Sequence, residues 1–413
     1  MIDNAKEMQR LGLKIPLLIG GATTSRAHTA IKIAPHYEPP VIQVPDASLV
    51  VNVCNDVLHP DKSKKYIEEL KSDQSRIRIQ HEKQGERPLL PLSEARTKGV
   101  TFDWQNQEIA SPLADNLGTH SFQPSLEEVL EFFDWSPFFW AWELRGTYPQ
   151  IFEKKESGEE AKKLFDQAQE LLAEITQQKL LTCQAVVGLW PAHACGDDVE
   201  LFSDLTKRKK LGAFRFVRRQ QVIPNQPQFC LADFVAPQSS GRMDYLGAFA
   251  VNAGKEVDEI ADQYKAKNDD FTSILVKSLG DRFAEATAEY AHKKIRDLWG
   301  FGLTEGLSNH ELIAEKYRGI RPAAGYPCQP DHTEKDLIWD LLKVKDTIQL
   351  ELTESRAMNP GCSVSGLYFS HPEARYFNVG SLGRDQIEDY SKRKGWETKQ
   401  AIKWLRPNLG FDA

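Results

Sequence analysis

Tyr245-Leu246-Gly247-Ala248-Phe249-Ala250-Val251 is an unbroken apolar run, and beyond it Phe271 to Leu298 repeats apolar residues at helical spacing. In that second stretch Ile274, Leu275, Leu279, Phe283, Ala286, Tyr290 and Leu298 fall on one stripe, which predicts a long amphipathic helix. Working outward, Ala185 to Trp190 and Phe214 to Val217 are further strand-like apolar runs. Gly158 to Lys179, Ser308 to Tyr317, His332 to Leu342, Asp385 to Lys394 and Thr398 to Leu405 read as helices. Ser125 followed by Glu128 has the spacing of a capping box, in which side chain and backbone satisfy each other at a helix start. Strands and helices do not alternate regularly, so the class expected for this part of the chain is α+β.

The first sixty or so residues have a different rhythm. Asp3 to Leu11 predicts a helix with Ala5, Met8 and Leu11 on its apolar face, ended by Gly12. Lys14 to Ile19 is fit for a buried strand, Gly20 to Ser25 for a small-residue turn opening a helix to about Ala34, and Val41 to Val44 for a second strand. That order is doubly wound but too short to cover a sheet, and is expected to be a partial Rossmann-like α/β remnant cut partway through a domain. Asp61 to Arg87 is charged and helical, and Glu86 to Pro91 is extended. The expected boundaries are 1–69 for the remnant, 70–82 for a linker and 83–413 for the main domain.

Composition narrows the classes. A chain of 413 residues suggests two to three domains, and 41% hydrophobic with 27% charged residues is globular. Lys+Arg at 52 against Asp+Glu at 59 gives a net charge of −7, so no basic excess points to nucleic acid or an anionic membrane surface. The most apolar short stretch, Ile15 to Ala22, is far below the roughly 20 residues of a membrane span, and the N-terminus carries no signal-peptide pattern. The six cysteines form no C-x-x-C pair, which argues against a disulfide scaffold or structural zinc and for free thiols in a reducing cytoplasm.

Several residues could carry chemistry. The glycines of Gly20-Gly21-Ala22-Thr23-Thr24-Ser25 would let a ligand approach the backbone at a helix N-terminus, or they form a tight turn with a Thr/Ser cap. Arg321-Pro322-Ala323-Ala324-Gly325-Tyr326-Pro327 predicts a rigid non-helical loop. Such a loop can hold backbone groups in place for a purine while Arg321 grips a carboxylate and Tyr326 stacks on a ring; alternatively it is a structural turn. Asp134 either caps the helix beginning near Pro137 or binds an ammonium or hydroxyl. Glu285 lies on the expected buried side of the long helix, and Glu315 precedes the proline loop; each could equally be a solvated or ion-paired residue. Asp197-Asp198 reads as a turn with a helix cap rather than a metal site. His292 and His332 are isolated, and no serine or cysteine suggests a nucleophile.

Taken together these segments resemble the cobalamin-dependent methionine synthases. Leu18 to Ala30 is similar to the end of their cobalamin-binding domain. Arg321 to Tyr326 with Pro330-Asp331-His332-Thr333-Glu334-Lys335 resembles the S-adenosylmethionine loop of their reactivation domain. Asp134-Trp135 with Pro137-Phe138-Phe139, Cys230 to Phe234, Val364-Ser365-Gly366 and Pro407 to Asp412 fit the same family. The resemblance implies a C-terminal piece of a methyltransferase that moves a methyl group from methyltetrahydrofolate to homocysteine. It implies a reactivation domain built on a curved antiparallel sheet with flanking helices. That domain would bind S-adenosylmethionine and, with one electron from a flavodoxin or flavoprotein reductase, restore methylcobalamin from cob(II)alamin. The S-adenosylmethionine contacts implied are Asp134, Arg321, Tyr376 and Phe377, with acidic contacts at Glu285 and Glu315 and backbone contacts around Ala323 and Tyr326. The cobalamin contacts implied are Gly20, Gly21 and Ala47. The family's D-x-H-x-x-G cobalt-ligand motif does not occur in this sequence, and its zinc site belongs to a separate homocysteine domain. No catalytic residue or metal ligand is expected here. The other methionine synthase domains are expected partners, and a binding module without turnover of its own is the alternative.

Overall fold

The structure, a computed structural model, describes residues 1–20, 25–44, 50–60, 62–84 and 88–411. The chain divides between Pro88 and Leu89 into two units.

In the first unit, the helix Ile2–Arg10 turns Ala5 and Met8 onto the sheet. Leu11, third on the expected stripe, is 59% exposed because the helix ends at Arg10 and Gly12 turns the chain at φ +66. Strands β1 (Leu17–Gly20) and β2 (Val41–Val44) pair in parallel, Leu17 opposite Val41 and Gly20 opposite Val44. Successive residues of a strand face opposite sides. Ile19 and Val41 accordingly pack with Ala5, Ile33 and Tyr37, whereas Ile42 and Val44 pack with Val57. The helical stretch at 26–36 begins with Ser25 Oγ accepting the His28 N–H at 3.1 Å, the expected cap.

The expected linker is not a linker. Residues 70–82 lie inside the helix Ser63–Gln84. Tyr66 and Leu70 pack beside Val57, Gln74 is buried with its side-chain amide donating to the Val41 carbonyl at 2.7 Å, and Arg78 donates to the Ala30 carbonyl at 3.0 Å. The stripe that joins this helix to the unit is partly polar, so a charged composition hid it. The division at Pro88 and Leu89 also falls later than the expected start at 83.

The second unit is α+β, as expected. Its sheet runs β10-β7-β4-β5-β6, with β3 also on β4, and every pairing is antiparallel. These strands are β3 (Gly118–Phe122), β4 (Gln184–Cys195), β5 (Asp198–Phe202), β6 (Lys210–Arg215), β7 (Asp244–Asn252) and β10 (Ser363–Tyr368). A separate short pair joins β8 (Glu351–Leu352) to β9 (Met358–Asn359). β7 covers one edge of β4 over Gln184–Ala192, while the other edge is shared by β3 over Ala185–Leu189 and β5 over Ala192–Cys195. Pro191, which has no N–H to give a ladder, falls between those two partners.

Both faces of the sheet are covered, which is why its strands read as continuous apolar runs rather than alternating ones. Val186, Trp190, Leu246, Ala248 and Ala250 face one core with Ile338 and Leu342. Val187, Leu189, Tyr245, Phe249, Val251 and Tyr368 face the other, against Ala288, Ala291, Ile295 and Trp299 of the long helix Asp270–Trp299. The Ser125/Glu128 capping box is present at the start of the helix Leu126–Leu130.

Asp197 and Asp198 do not cap a helix. They sit at the β4–β5 turn after Gly196, which takes φ +64, and both enter ion pairs. Asp197 accepts from Arg218 Nε and from Arg96 Nε, each at 2.8 Å, and Asp198 pairs with Arg215 at 3.3 Å and with Arg393. Burial alone would raise the Asp197 carboxyl, but Arg218 and Arg96 hold it below the usual carboxylate range. Cys183, Cys230, Cys328 and Cys362 are buried free thiols.

Candidate ligand site on the long helix

The proline loop is built onto the end of β10. Ile320 bridges Phe369, and the Leu367 N–H donates to the Pro322 carbonyl at 2.9 Å. A side chain at Gly366 would put its Cβ 2.6 Å from that same carbonyl, so the close approach needs glycine. The loop closes on itself through Gly325 N–H to the Gln329 carbonyl at 2.7 Å and Gln329 N–H to the Tyr326 carbonyl at 2.9 Å. Gly325 takes φ +98, and a Cβ there would lie 2.1 Å from the His332 imidazole. The rigidity expected from the prolines is therefore completed by hydrogen bonds and by a histidine packed against the glycine.

Arg321 is pinned at both ends. Its backbone N–H donates to Tyr376 Oη at 3.0 Å, and its Nη2 donates to Glu289 Oε1 of the long helix at 2.5 Å. The two side chains are 12% and 14% exposed, and the guanidinium carbon lies 6.0 Å from the centre of the Phe249 ring. Burial pulls the guanidinium down, but Glu289 carries it above its ordinary value. Arg321 Nη1 and Glu289 Oε2 are shut from solvent and make no hydrogen bond.

Behind this pair stands a stack of rings. Tyr368 lies on Phe249 at 4.7 Å, His292 on Tyr368 at 4.9 Å, and Tyr317 meets His292 edge-on at 4.4 Å. Burial, followed by the charges of Arg321 and Arg296, pushes the His292 imidazolium well below its usual range, so the ring is neutral near pH 7. Burial likewise pushes the Tyr317 and Tyr368 hydroxyls up, and Arg321 acts against it in both.

The long helix sets the spacing of the acidic groups. Glu285 precedes Glu289 by one turn on the same face, is half-buried, and has no ion pair or hydrogen bond among the described residues. Phe133, next to Asp134 in sequence, meets Phe283 of the long helix edge-on at 5.2 Å. From Phe283 to Glu289 the helix rises roughly 9 Å at about 1.5 Å per residue. Asp134 is not the helix cap: the helix Ser136–Ala141 has Trp135 at its N-cap with no side-chain cap bond, and Asp134 Oδ1 instead accepts the Ser136 N–H at 2.9 Å in an Asx turn just ahead of it, a bond that does not use its second oxygen. Glu315 is exposed at φ +54, and its charge reaches the Tyr317 and Tyr376 hydroxyls.

Arg321, Tyr376 and Glu315 thus gather around one end of the loop, and Glu285 stands one helical turn before the Glu289 that holds Arg321. Tyr326 is 65% exposed at the loop tip, and the Ala323 carbonyl accepts its N–H at 3.3 Å. The Phe377 ring is not brought to the group: it packs on Phe229 at 5.4 Å, because neighbouring residues of an extended chain point opposite ways. Gly20 ends β1 in the first unit, and Gly21 and Ala47 lie outside the described residues. Sequence reasoning missed Glu289, Tyr317 and Tyr368 and left His292 isolated. The i, i+4, i+7 spacing of Glu285, Glu289 and His292 was the available signal.

Fold and cluster together define an α+β domain with an antiparallel sheet and a buried charged pair between a helix and a proline-bounded loop. The chain belongs to the family described as vitamin B12 dependent methionine synthase, activation domain, which matches residues 125–395. It is similar to a crystal structure of the MetH reactivation domain bound to AdoHcy, with 47% identity and a TM-score of 0.76, over 79% of this chain and all of that one.

Proposed function

We propose that the second unit binds S-adenosylmethionine between the long helix and the Arg321 loop, and that the chain serves the reductive methylation of cobalamin as part of a methionine synthase. The observation that carries this is the charge pattern: one buried arginine with an unpartnered Nη1, beside unpaired carboxylates at Glu285 and Glu315. S-adenosylmethionine has one carboxylate, an ammonium and a sulfonium, and fits that pattern in sign and in number. The related domain bound to AdoHcy, the demethylated form of the same ligand, supports the reading.

In this reading Arg321 takes the ligand carboxylate, Glu285 and Asp134 face its cationic part, Glu315 supports from the loop's start, and Tyr326 and Tyr376 flank the nucleoside. Backbone groups around Ala323 and Tyr326 read the base, and Phe377 contributes its backbone rather than its ring. A bound cobalamin would supply the acceptor for the sulfonium methyl. Of its three expected contacts the described residues include Gly20 alone, where a Cβ would make only an ordinary van der Waals contact, 4.0 Å from the Val44 carbonyl, so we derive no step through it. A flavodoxin or flavoprotein reductase supplies the electron, the remaining domains of the synthase are partners, and the setting is the cytoplasm. Among the described residues no helix is long and apolar enough to cross a membrane.

Equilibrium dialysis with methyl-labelled S-adenosylmethionine tests the binding. Retention by the chain and loss in Arg321→Ala support it; no retention by the parent chain overturns it. Adding cobalamin and a reduced flavodoxin separates turnover from the alternative: label passing to cobalamin means turnover, and label staying in S-adenosylmethionine means a binding module only.

A further inference from the structure

The long helix presents two carboxylates one turn apart, and they are used differently. Glu285 has no partner among the described residues, whereas Glu289 is committed to Arg321 at 2.5 Å. We propose that Glu289 is the positioning residue for Arg321: it fixes the guanidinium on the Phe249 face so that the ligand's carboxylate meets an arginine already oriented. The inference rests on the binding reading above and goes beyond it by assigning a residue that makes no contact with the ligand.

Three observations converge. Arg321 has a long side chain whose freedom would otherwise be lost on binding, and the Glu289 bond removes that freedom beforehand. The same arginine is fixed at its backbone by Tyr376, so the bond to Glu289 is what remains to set the plane of the guanidinium. The stack of Phe249, Tyr368, His292 and Tyr317 backs the pair with rings, and its one titratable nitrogen base, His292, is neutral and adds no competing charge. Glu289 also gives the buried guanidinium a counter-charge while the site is empty, without which its burial would be costly.

The test compares S-adenosylmethionine with its decarboxylated analogue by titration calorimetry. The parent chain is expected to prefer the carboxylate-bearing ligand by roughly tenfold or more, the value of a hydrogen bond to a charged group. Glu289→Ala should collapse that preference to within about threefold by weakening S-adenosylmethionine, with the analogue's affinity unchanged. Glu289→Gln, which keeps an acceptor for Arg321, should restore part of it. A purely structural Glu289 would weaken both ligands alike, and that result, or an undiminished preference in the Ala variant, overturns the proposal. Should Glu289→Ala fail to fold, Glu289→Asp keeps the charge but withdraws it by one methylene; an unchanged preference there overturns the proposal, and a reduced one supports it. If the parent chain binds neither ligand, the binding reading itself has failed, an outcome distinct from a parent that binds and a variant that behaves like it.

Discussion

The end of β1 at Gly20 in the first unit and the Arg321 to Pro327 loop in the second both carry small residues where a ligand is expected, yet they rest on very different supports. β1 and β2 are four residues each, and the cores on their two faces are small. The Arg321 loop is tied to a six-stranded sheet and to a helix of 30 residues, with buried charged groups and stacked rings behind it. Small residues only permit a ligand to approach. What distinguishes a site is buried polar chemistry converging on the loop, and the described residues show that convergence in the second unit.

The largest expected effect tests the framework of the second unit. Arg218 is buried and bonds Asp197, Asp233 and the Gln228 carbonyl. Arg218→Ala strands the Asp233 carboxylate and leaves Asp197 to Arg96 alone, and should destabilise that unit by on the order of 3–5 kcal/mol, read as a fall in its calorimetric transition. A transition that does not move would show that the network is incidental to the second unit's stability.

Next in size is Arg321→Ala, expected to weaken S-adenosylmethionine by about 1.5–3 kcal/mol with the fold intact, and only partly restored by Arg321→Lys, a point charge in place of a planar fork. An unchanged dissociation constant would leave the loop structural and erase its difference from the end of β1.

A third effect is pH-dependent. His371 is pushed down to about 4, first by burial and then by the charge of Arg318. The unfolded chain takes up this proton near pH 6.5 while the folded chain resists it. The stability is therefore fully present above pH 6.5 and is lost progressively as pH falls from there towards 4. Melting of the second unit should show this slope, and His371→Gln should flatten it; equal slopes in parent and variant would contradict the assignment. His292, depressed in the same direction, adds to the parent's slope.

The smallest effect concerns Asp134. Asn accepts the Ser136 N–H about as well as Asp, so Asp134→Asn should leave melting nearly unchanged while S-adenosylmethionine binding weakens through the lost charge. Lower melting with unaltered affinity would assign Asp134 to the turn before the helix alone.

Much of this was legible in the sequence, for physical reasons that also mark its limits. The long helix, the Ser125/Glu128 box and the apolar strands follow from local periodicity, and the fold class follows from their order. The loop's shape was legible because proline and glycine act on their own backbone. The Glu289–Arg321 pair joins residues 32 positions apart, and no local pattern says which carboxylate meets which arginine. Asp197 and Asp198 misled for the same reason, since their partners Arg96, Arg218 and Arg393 are distant in sequence. Residues 70–82 of the helix Ser63–Gln84 read as a linker in the sequence because their contact stripe includes Gln74, a polar residue that composition counts as surface. Phe377 was placed by resemblance, and its packing on Phe229 required the tertiary fold.

Titration calorimetry of the whole chain with S-adenosylmethionine and, separately, with cobalamin tests the central claim most directly. The account predicts saturable binding of S-adenosylmethionine, abolished or strongly weakened in Arg321→Ala, and no stable binding of cobalamin. Tight cobalamin binding with no measurable S-adenosylmethionine binding would contradict it and move the functional site to the first unit.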